Sequence, residues 1–315
     1  MSNIIEMPKV GISGKVLQWE VINADGSIDQ SCYRPSDNMV LNSGIPVYCY
    51  SNWGSESQWF WATFCIGTGT AEPLATDTRL TSQSYAGSCV FTEYNSTTYS
   101  TAGSDPYYIY FQRGVLTPLG ALNGTYGEIG FCVANGSNLF SKHRLKDELG
   151  NPTTITVSSA QQLRLKYVVI FNPSPSTSTT GTINISGIGD IGYEAKWQLM
   201  TFPTFRQIYD MYDANTRMVT NSSGILSLGN IGTQPGNPSY SYNTSYTKTF
   251  VTPTPGVGEI YHNAYWDVNT ANVTWYGIVV PAHGSKVYII NFQTPFTKVN
   301  THTMRFTIKY TIGRS

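Results

Sequence analysis

Charge is what this sequence has least of. Acidic and basic residues make up 12% of its 315 positions, and 19 of each sign leave a formal net charge of zero, well under the usual charged share of about a quarter. Near-zero net charge gives a lone molecule little repulsion to keep it dispersed. That suits a chain docked in an assembly, or one with an adhesive, Tyr-rich binding surface. Lys and Arg are scattered with no basic stripe, and a phosphate backbone needs clustered cations, so no nucleic-acid partner is expected. Long apolar runs are missing too: none nears the roughly 18 residues of a membrane helix, so no membrane partner is expected. The opening Met-Ser-Asn-Ile-Ile-Glu-Met-Pro lacks the charged and apolar regions of a secretory signal, and the expectation is synthesis and folding in a cytoplasm.

Cysteine is sparse and unpatterned. Cys32, Cys49, Cys65, Cys89 and Cys132 form an odd set in the first half, with no C-x-x-C pair and no His at ligand spacing. This argues against zinc and for reduced, buried thiols. The histidines His143, His262, His283 and His302 make none of the H-x-x-x-H, H-E-x-x-H or H-x-E patterns that bind metals. His262 does lie near Glu259 and Asp267, while the cations beside His143 disfavour its protonation.

Gly67-Thr-Gly69 follows an apolar run, but no Gly-Lys-Ser/Thr ends it and no third Gly opens a helix, so it reads as a turn and not a phosphate loop. Glycosidase chemistry needs two carboxyls across a sugar cleft; Asp190 with Glu194 and Asp210 with Asp213 are the candidates, supported only by closeness in sequence. No Ser sits in a G-x-S-x-G elbow. The expectation is no enzyme, no catalytic residue, no metal and no cofactor.

What is present is period-two alternation broken by Gly, Pro, Asn and Asp clusters, the pattern of a sandwich or barrel. Helical spacing occurs once, in Thr204 to Thr216, where Phe205, Ile208, Tyr209 and Tyr212 follow Pro203 and predict a short helix. The fold expected is all-β, with two sandwich-like antiparallel modules. Residues 1–13 read as an N-terminal arm, disordered or laid on a neighbouring subunit. Residues 14–171 form the first module, 172–181 a Pro/Ser/Thr linker and 182–315 the second module.

A degenerate duplication is also legible. Phe306-Thr-Ile-Lys-Tyr-Thr-Ile312 sets against Leu163-Arg-Leu-Lys-Tyr-Val-Val169 with Lys-Tyr in register, and Phe296-Thr-Lys298 matches Phe140-Ser-Lys142. Each of the two long strands is expected to close its own sheet. The aromatic cluster Trp53, Trp59, Phe60, Trp61 and Phe64 is assigned to core plus a candidate subunit interface, where aromatics are enriched. Sugar stacking is the competing use.

Three phrases carry a further signal: Asn38-Met-Val-Leu-Asn-Ser-Gly44, Gly67-Thr-Gly-Thr-Ala-Glu-Pro-Leu-Ala-Thr-Asp-Thr-Arg-Leu80, and Leu139-Phe-Ser-Lys-His-Arg-Leu-Lys-Asp-Glu-Leu-Gly-Asn-Pro-Thr-Thr-Ile155. In this order they resemble a family of structural proteins from tailed-bacteriophage virions, found in tails, necks or collars, and fibres. The resemblance spans roughly residues 10 to 171. It implies a virion component, assembled in the host cytoplasm, that acts through protein–protein contacts. Its implied partners are further copies of itself in a symmetric homo-oligomer and other virion proteins. A receptor- or carbohydrate-binding fibre protein that meets a host surface glycan is the alternative.

Thiol titration of the denatured, unreduced protein is expected to give all five cysteines free in each chain; a lower count would show a disulfide.

Overall fold

Alternating apolar residues become backbone pairing in most described segments of the computed structural model, which is nearly all β. It describes residues 3–45, 63–88, 90–99, 108–134, 137–173, 178–199, 217–219, 245–268, 274–281 and 286–315. The chain opens with β1 (Ile4–Glu6), β2 (Val10–Asn23), β3 (Ile28–Cys32) and β4 (Ser36–Val40). Next come β5 (Thr63–Gly67), β6 (Gln83–Ser88), β7 (Val90–Tyr99), β8 (Tyr108–Leu116) and β9 (Gly124–Tyr126). β10 (Glu128–Ala134), β11 (Ser137–Arg144), β12 (Ile155–Val157) and β13 (Gln161–Pro173) complete the first half. The second half holds β14 (Ser178–Ile185), β15 (Gly189–Leu199), β16 (Arg217–Val219) and β17 (Ser245–Thr254). It ends with β18 (Val257–Trp266), β19 (Thr274–Pro281), β20 (Lys286–Thr297) and β21 (Met304–Arg314).

The same strand order is laid down twice. In the first half β7-β8-β13-β2 form one layer and β4-β11-β10-β5-β6 the other, joined at a corner where β4 pairs with both β2 and β11. In the second half β17-β18-β21-β1 lie against β15-β20-β19-β16. β14, the counterpart of β2 by chain order, pairs with β15, while β1 takes the place beside β21. Residues matched in the sequence share environments as well. Lys142 and Lys298 are both buried after buried Phe140 and Phe296, and Tyr167 and Tyr310 are both buried.

Aromatic side chains fill both cores. Phe131 of β10 stacks on Tyr167 of β13 at 4.1 Å, with Phe64 edge-on to Phe131. In the second sandwich Trp266 meets Trp275 edge-on at 4.9 Å, and both contact Phe306. Such edge and offset contacts suit the ring quadrupole and add to what burial alone contributes. The two cores are continuous.

Three expectations need correction. First, residues 3–13, the described part of the expected arm, are not a free arm. β1 runs parallel to β21 with Ile5 opposite Ile308, Val10–Ile12 of β2 pair with Ile312–Arg314, and Ile5, Met7, Val10 and Ile12 are buried. The apolar pairs Ile5/Met7 and Val10/Ile12 alternate as strands do, but their partners lie at the far end of the chain. Second, the described residues of 172–181 are strand: Asn172 and Pro173 end β13 opposite Gly11 and Val10, and Ser178–Gly181 begin β14. Third, β13 and β21 do not close separate sheets. Both hydrogen-bond to β2, which joins them into one 14-stranded network. The helix expected over Thr204 to Thr216 lies outside the described residues.

Deleting residues 1–9 is expected to lower the thermal midpoint sharply, because it uncovers β21 and empties the Ile5 and Met7 positions. Ile5→Ala alone should cost about 2–5 kcal/mol by denaturant titration, as for other fully buried aliphatics. A truncated protein as stable as the full chain would show that the arm does not hold the second sandwich together.

Candidate functional site

The site is built where the three sequence phrases meet. β5 leaves the sheet at Gly67, and residues 68–82 return across the outer face of β10 and β11 before entering β6. This cover loop is tied at its ends and its middle, with Thr68 N–H donating to Ser82 O at 2.9 Å and Asn42 N–H donating to Ala75 O at 2.8 Å. Leu139 N–H donates to Thr78 O. Leu80 packs beneath the loop with Leu41, Cys65, Cys132 and Leu139. From the first phrase, Leu41 N–H donates to Phe140 O and Ser43 Oγ to Leu139 O. A Cβ at Gly44 would collide with the Phe140 backbone, so that position tolerates only glycine.

A buried ion cluster clamps the loop. Lys142 of β11, 2% exposed, places Nζ 3.0 Å from Asp77 Oδ2 and 3.2 Å from Glu128 Oε2. It also donates to Thr81 Oγ1 at 2.8 Å. Glu128 of β10 is fully buried, and its Oε1 accepts the Ser82 N–H at 2.8 Å. Burial pushes the Glu128 carboxyl up, but the Ser82 and Thr81 N–H groups and the Lys142 ammonium outweigh it and hold the group below its ordinary range. Gly69 sits so close to Glu128 that a Cβ there would strike the carboxylate. Asp77 is set by a turn in which its own N–H donates to Leu74 O, while Oδ2 accepts the Leu74 N–H at 3.1 Å. Removing one partner of such a cluster strands a buried charge, which typically costs about 3–5 kcal/mol.

Beside the clamp lies a cleft of about 410 Å³, bounded by Glu72 and Pro73 of the loop, by Lys15, Asp37 and Arg314 of the sheet and by Lys146 just after β11. Arg144 also lines it; its guanidinium is buried and donates to the carbonyls of Gly127 and Thr153. Arg314 donates to Asn42 Oδ1 at 2.6 Å and to Val40 O at 3.2 Å, which fixes that wall. Lys15 and Asp37 form a loose, exposed pair at 3.7 Å. The lining combines cations with carboxylate acceptors, which suits a polar or anionic group more than an apolar one.

His143 borders the cleft but is satisfied internally. Nδ1–H donates to Asp37 O at 2.9 Å and Nε2 accepts from Ser36 Oγ at 3.2 Å. Burial, assisted by nearby Lys146 and Arg144, lowers its pKa from 6.5 to about 4.

Phe64 is a core residue, 1% exposed, and so not an interface one; Trp53, Trp59, Phe60 and Trp61 lie outside the described residues. Cys32, Cys65 and Cys132 are buried, with Cys65 Sγ and Cys132 Sγ in contact at 3.3 Å, while Cys49 and Cys89 lie outside the described residues. Glu259 is held by Lys309 at 2.9 Å and by the Tyr261 hydroxyl, and among the described residues no three His, Cys, Asp or Glu gather as metal ligands. Asp190 and Glu194 stand four residues apart on one strand, about 13 Å at strand rise, which is too far for a glycosidase pair. Asp210 and Asp213 lie outside the described residues. Lys142 and Glu128 were missed in the sequence, although an acid opening the apolar run Glu128-Ile-Gly-Phe-Cys-Val133 was a usable signal.

The His143 environment sets a pH dependence. Because its folded pKa lies below its unfolded value, the neutral ring's contribution is complete above pH 6.5 and is lost as pH falls from 6.5 towards about 4. Denaturant titrations across that window are expected to show stability declining with acidity, by up to about 3 kcal/mol from this residue. His143→Gln should flatten the slope. An NMR titration that finds His143 protonating near 6.5 would contradict this.

Set against family models, curated proteins and solved structures, the chain matches none.

Proposed function

We propose that this chain is a non-enzymatic structural component of a tailed-bacteriophage virion, in the tail, neck/collar or fibre apparatus, working through protein–protein contacts in a symmetric homo-oligomer. The observation that carries this reading is the convergence of the three phrases behind the resemblance. They lie far apart in sequence, yet they form one clamped unit of loop and sheet. They therefore count as a single structural feature and not as three separate likenesses. Low charge and continuous strand pairing support the same reading, since a rigid, weakly charged block suits a surface that spends its life against neighbours.

A second reading, a receptor- or carbohydrate-binding fibre protein, is favoured by the cleft at Lys15, Asp37, Glu72 and Lys146. Sugar hydroxyls and acidic substituents would find both acceptors and cations there. Lys15→Ala with Lys146→Ala should then abolish glycan retention without unfolding the protein.

Light scattering and sedimentation of the purified protein are expected to show closed oligomers of defined size. Proteomics of the particles encoded with it should find the chain in stoichiometric amounts. A stable monomer at high concentration, absent from those particles, would rule out the structural reading; a monomer that binds glycans on an array would put the second reading in its place.

A further inference from the structure

The clamp has the makings of a covalent bond. Lys142 and Glu128 lie on the outer face of neighbouring antiparallel strands, one diagonal step apart, because Lys142 is opposite Gly130 and Glu128 opposite Arg144. The cover loop delivers Asp77 to the same point. The result is an amine donor, a carboxyl acceptor and a second carboxylate within 3.2 Å of the amine nitrogen, under a lid that leaves Lys142 2% and Glu128 0% exposed.

We propose that Lys142 and Asp77 join in an intramolecular amide (isopeptide) bond after folding, with Glu128 relaying the protons. The Lys142 ammonium passes a proton to Glu128, leaving a neutral amine. The Nζ lone pair attacks Asp77 Cγ while the Leu74 N–H supports the charge that builds on Oδ2. Glu128 has by then handed its proton to the other Asp77 oxygen, so that the amine meets a neutral carboxyl group. It next takes the second Nζ proton and passes it to the departing hydroxyl, which leaves as water. One C–N bond forms, one C–O bond breaks, and an ammonium and a carboxylate become an amide and a water molecule. Glu128 begins and ends as a carboxylate, and no oxidant or co-reactant is consumed.

Two physical terms favour the step here although it is unfavourable between free side chains in water. Holding the groups in contact replaces a bimolecular encounter by a positioned one, with effective molarities of about 10⁵–10⁸ M in well-oriented systems. Burial penalises the Lys142 charge that the reaction removes, Asp77 being 23% exposed, whereas a neutral amide is far cheaper to keep from water. Thr81 Oγ1, at 2.8 Å from Nζ, fixes the amine's approach. The hydrogen bonds that keep Glu128 acidic make it a weak base, so the bond is expected to mature slowly in the folded protein.

Intact-mass measurement of the folded wild-type chain, aged and then denatured, tests this without any variant. The expected result is a mass one water below that of the sequence. After trypsin, a branched pair should join the peptide containing Asp77 to the one containing Lys142, with no cleavage at Lys142. Lys142→Arg should restore the full mass while keeping the positive charge, and Glu128→Gln should leave most of the protein uncrosslinked. A full-mass wild-type protein, or a water loss without the branched pair (a succinimide at Asp77), would overturn the proposal and leave the cluster an ion pair. Complete cross-linking in Glu128→Gln would overturn the role given to Glu128.

Discussion

The 14 residues of β2 are hydrogen-bonded along both edges, and the rest of the molecule is arranged by that constraint. One edge pairs with β13 from Val10 to Asn23. The other is shared in turn by β21, β4 and β3. A strand paired along most of both edges resists a shift of register, since a one-residue slip would turn Val10, Ile12 and Val21 towards solvent. β2 therefore fixes the corner at β4, the position of β13 in the first core and the end of β21 in the second.

From that frame the clamp follows. The corner at β4 brings β11 alongside, β10 pairs with β11, and the outer face of this pair is where Lys142 and Glu128 come together. A lysine and a glutamate removed from water are tolerable only when paired and hydrogen-bonded, and the cover loop supplies the Asp77 carboxylate, the Thr81 hydroxyl and the Ser82 N–H that do it. The loop is ordered by the sheet, and the sheet's buried charges are compensated by the loop. The cleft owes its shape to this mutual dependence, because Glu72 and Pro73 are held over Lys15 and Lys146 by the same loop.

The sequence made the all-β character plain, because β21 and the strand through Leu163, Leu165, Tyr167 and Val169 alternate as a half-buried strand must. The short matches read as a repeat fall on β13 and β21, which share one 14-stranded sheet and do not each close their own. Long-range pairing stayed hidden. Ile5 and Ile308 are neighbours, yet nothing local in Met-Ser-Asn-Ile-Ile-Glu-Met tells a free arm from an inserted strand. The linker was misread for a related reason: Asn172-Pro-Ser-Pro has turn composition, but the opposing Val10-Gly11 edge extends β13 into it. At the site, the glycines of the second phrase, read as a turn, are the last residue of β5 and a loop residue pressed against Glu128. Their closeness to a buried carboxylate depends on β10, some sixty residues away, and no local pattern reports that.

Differential scanning calorimetry of the full chain tests the role of β2 most directly. If β2 couples both sandwiches into one hydrogen-bonded network, heating should give a single transition whose calorimetric enthalpy equals its van't Hoff enthalpy. Two resolved transitions, each matching one sandwich, would contradict the account and make β2 a tether between independent domains.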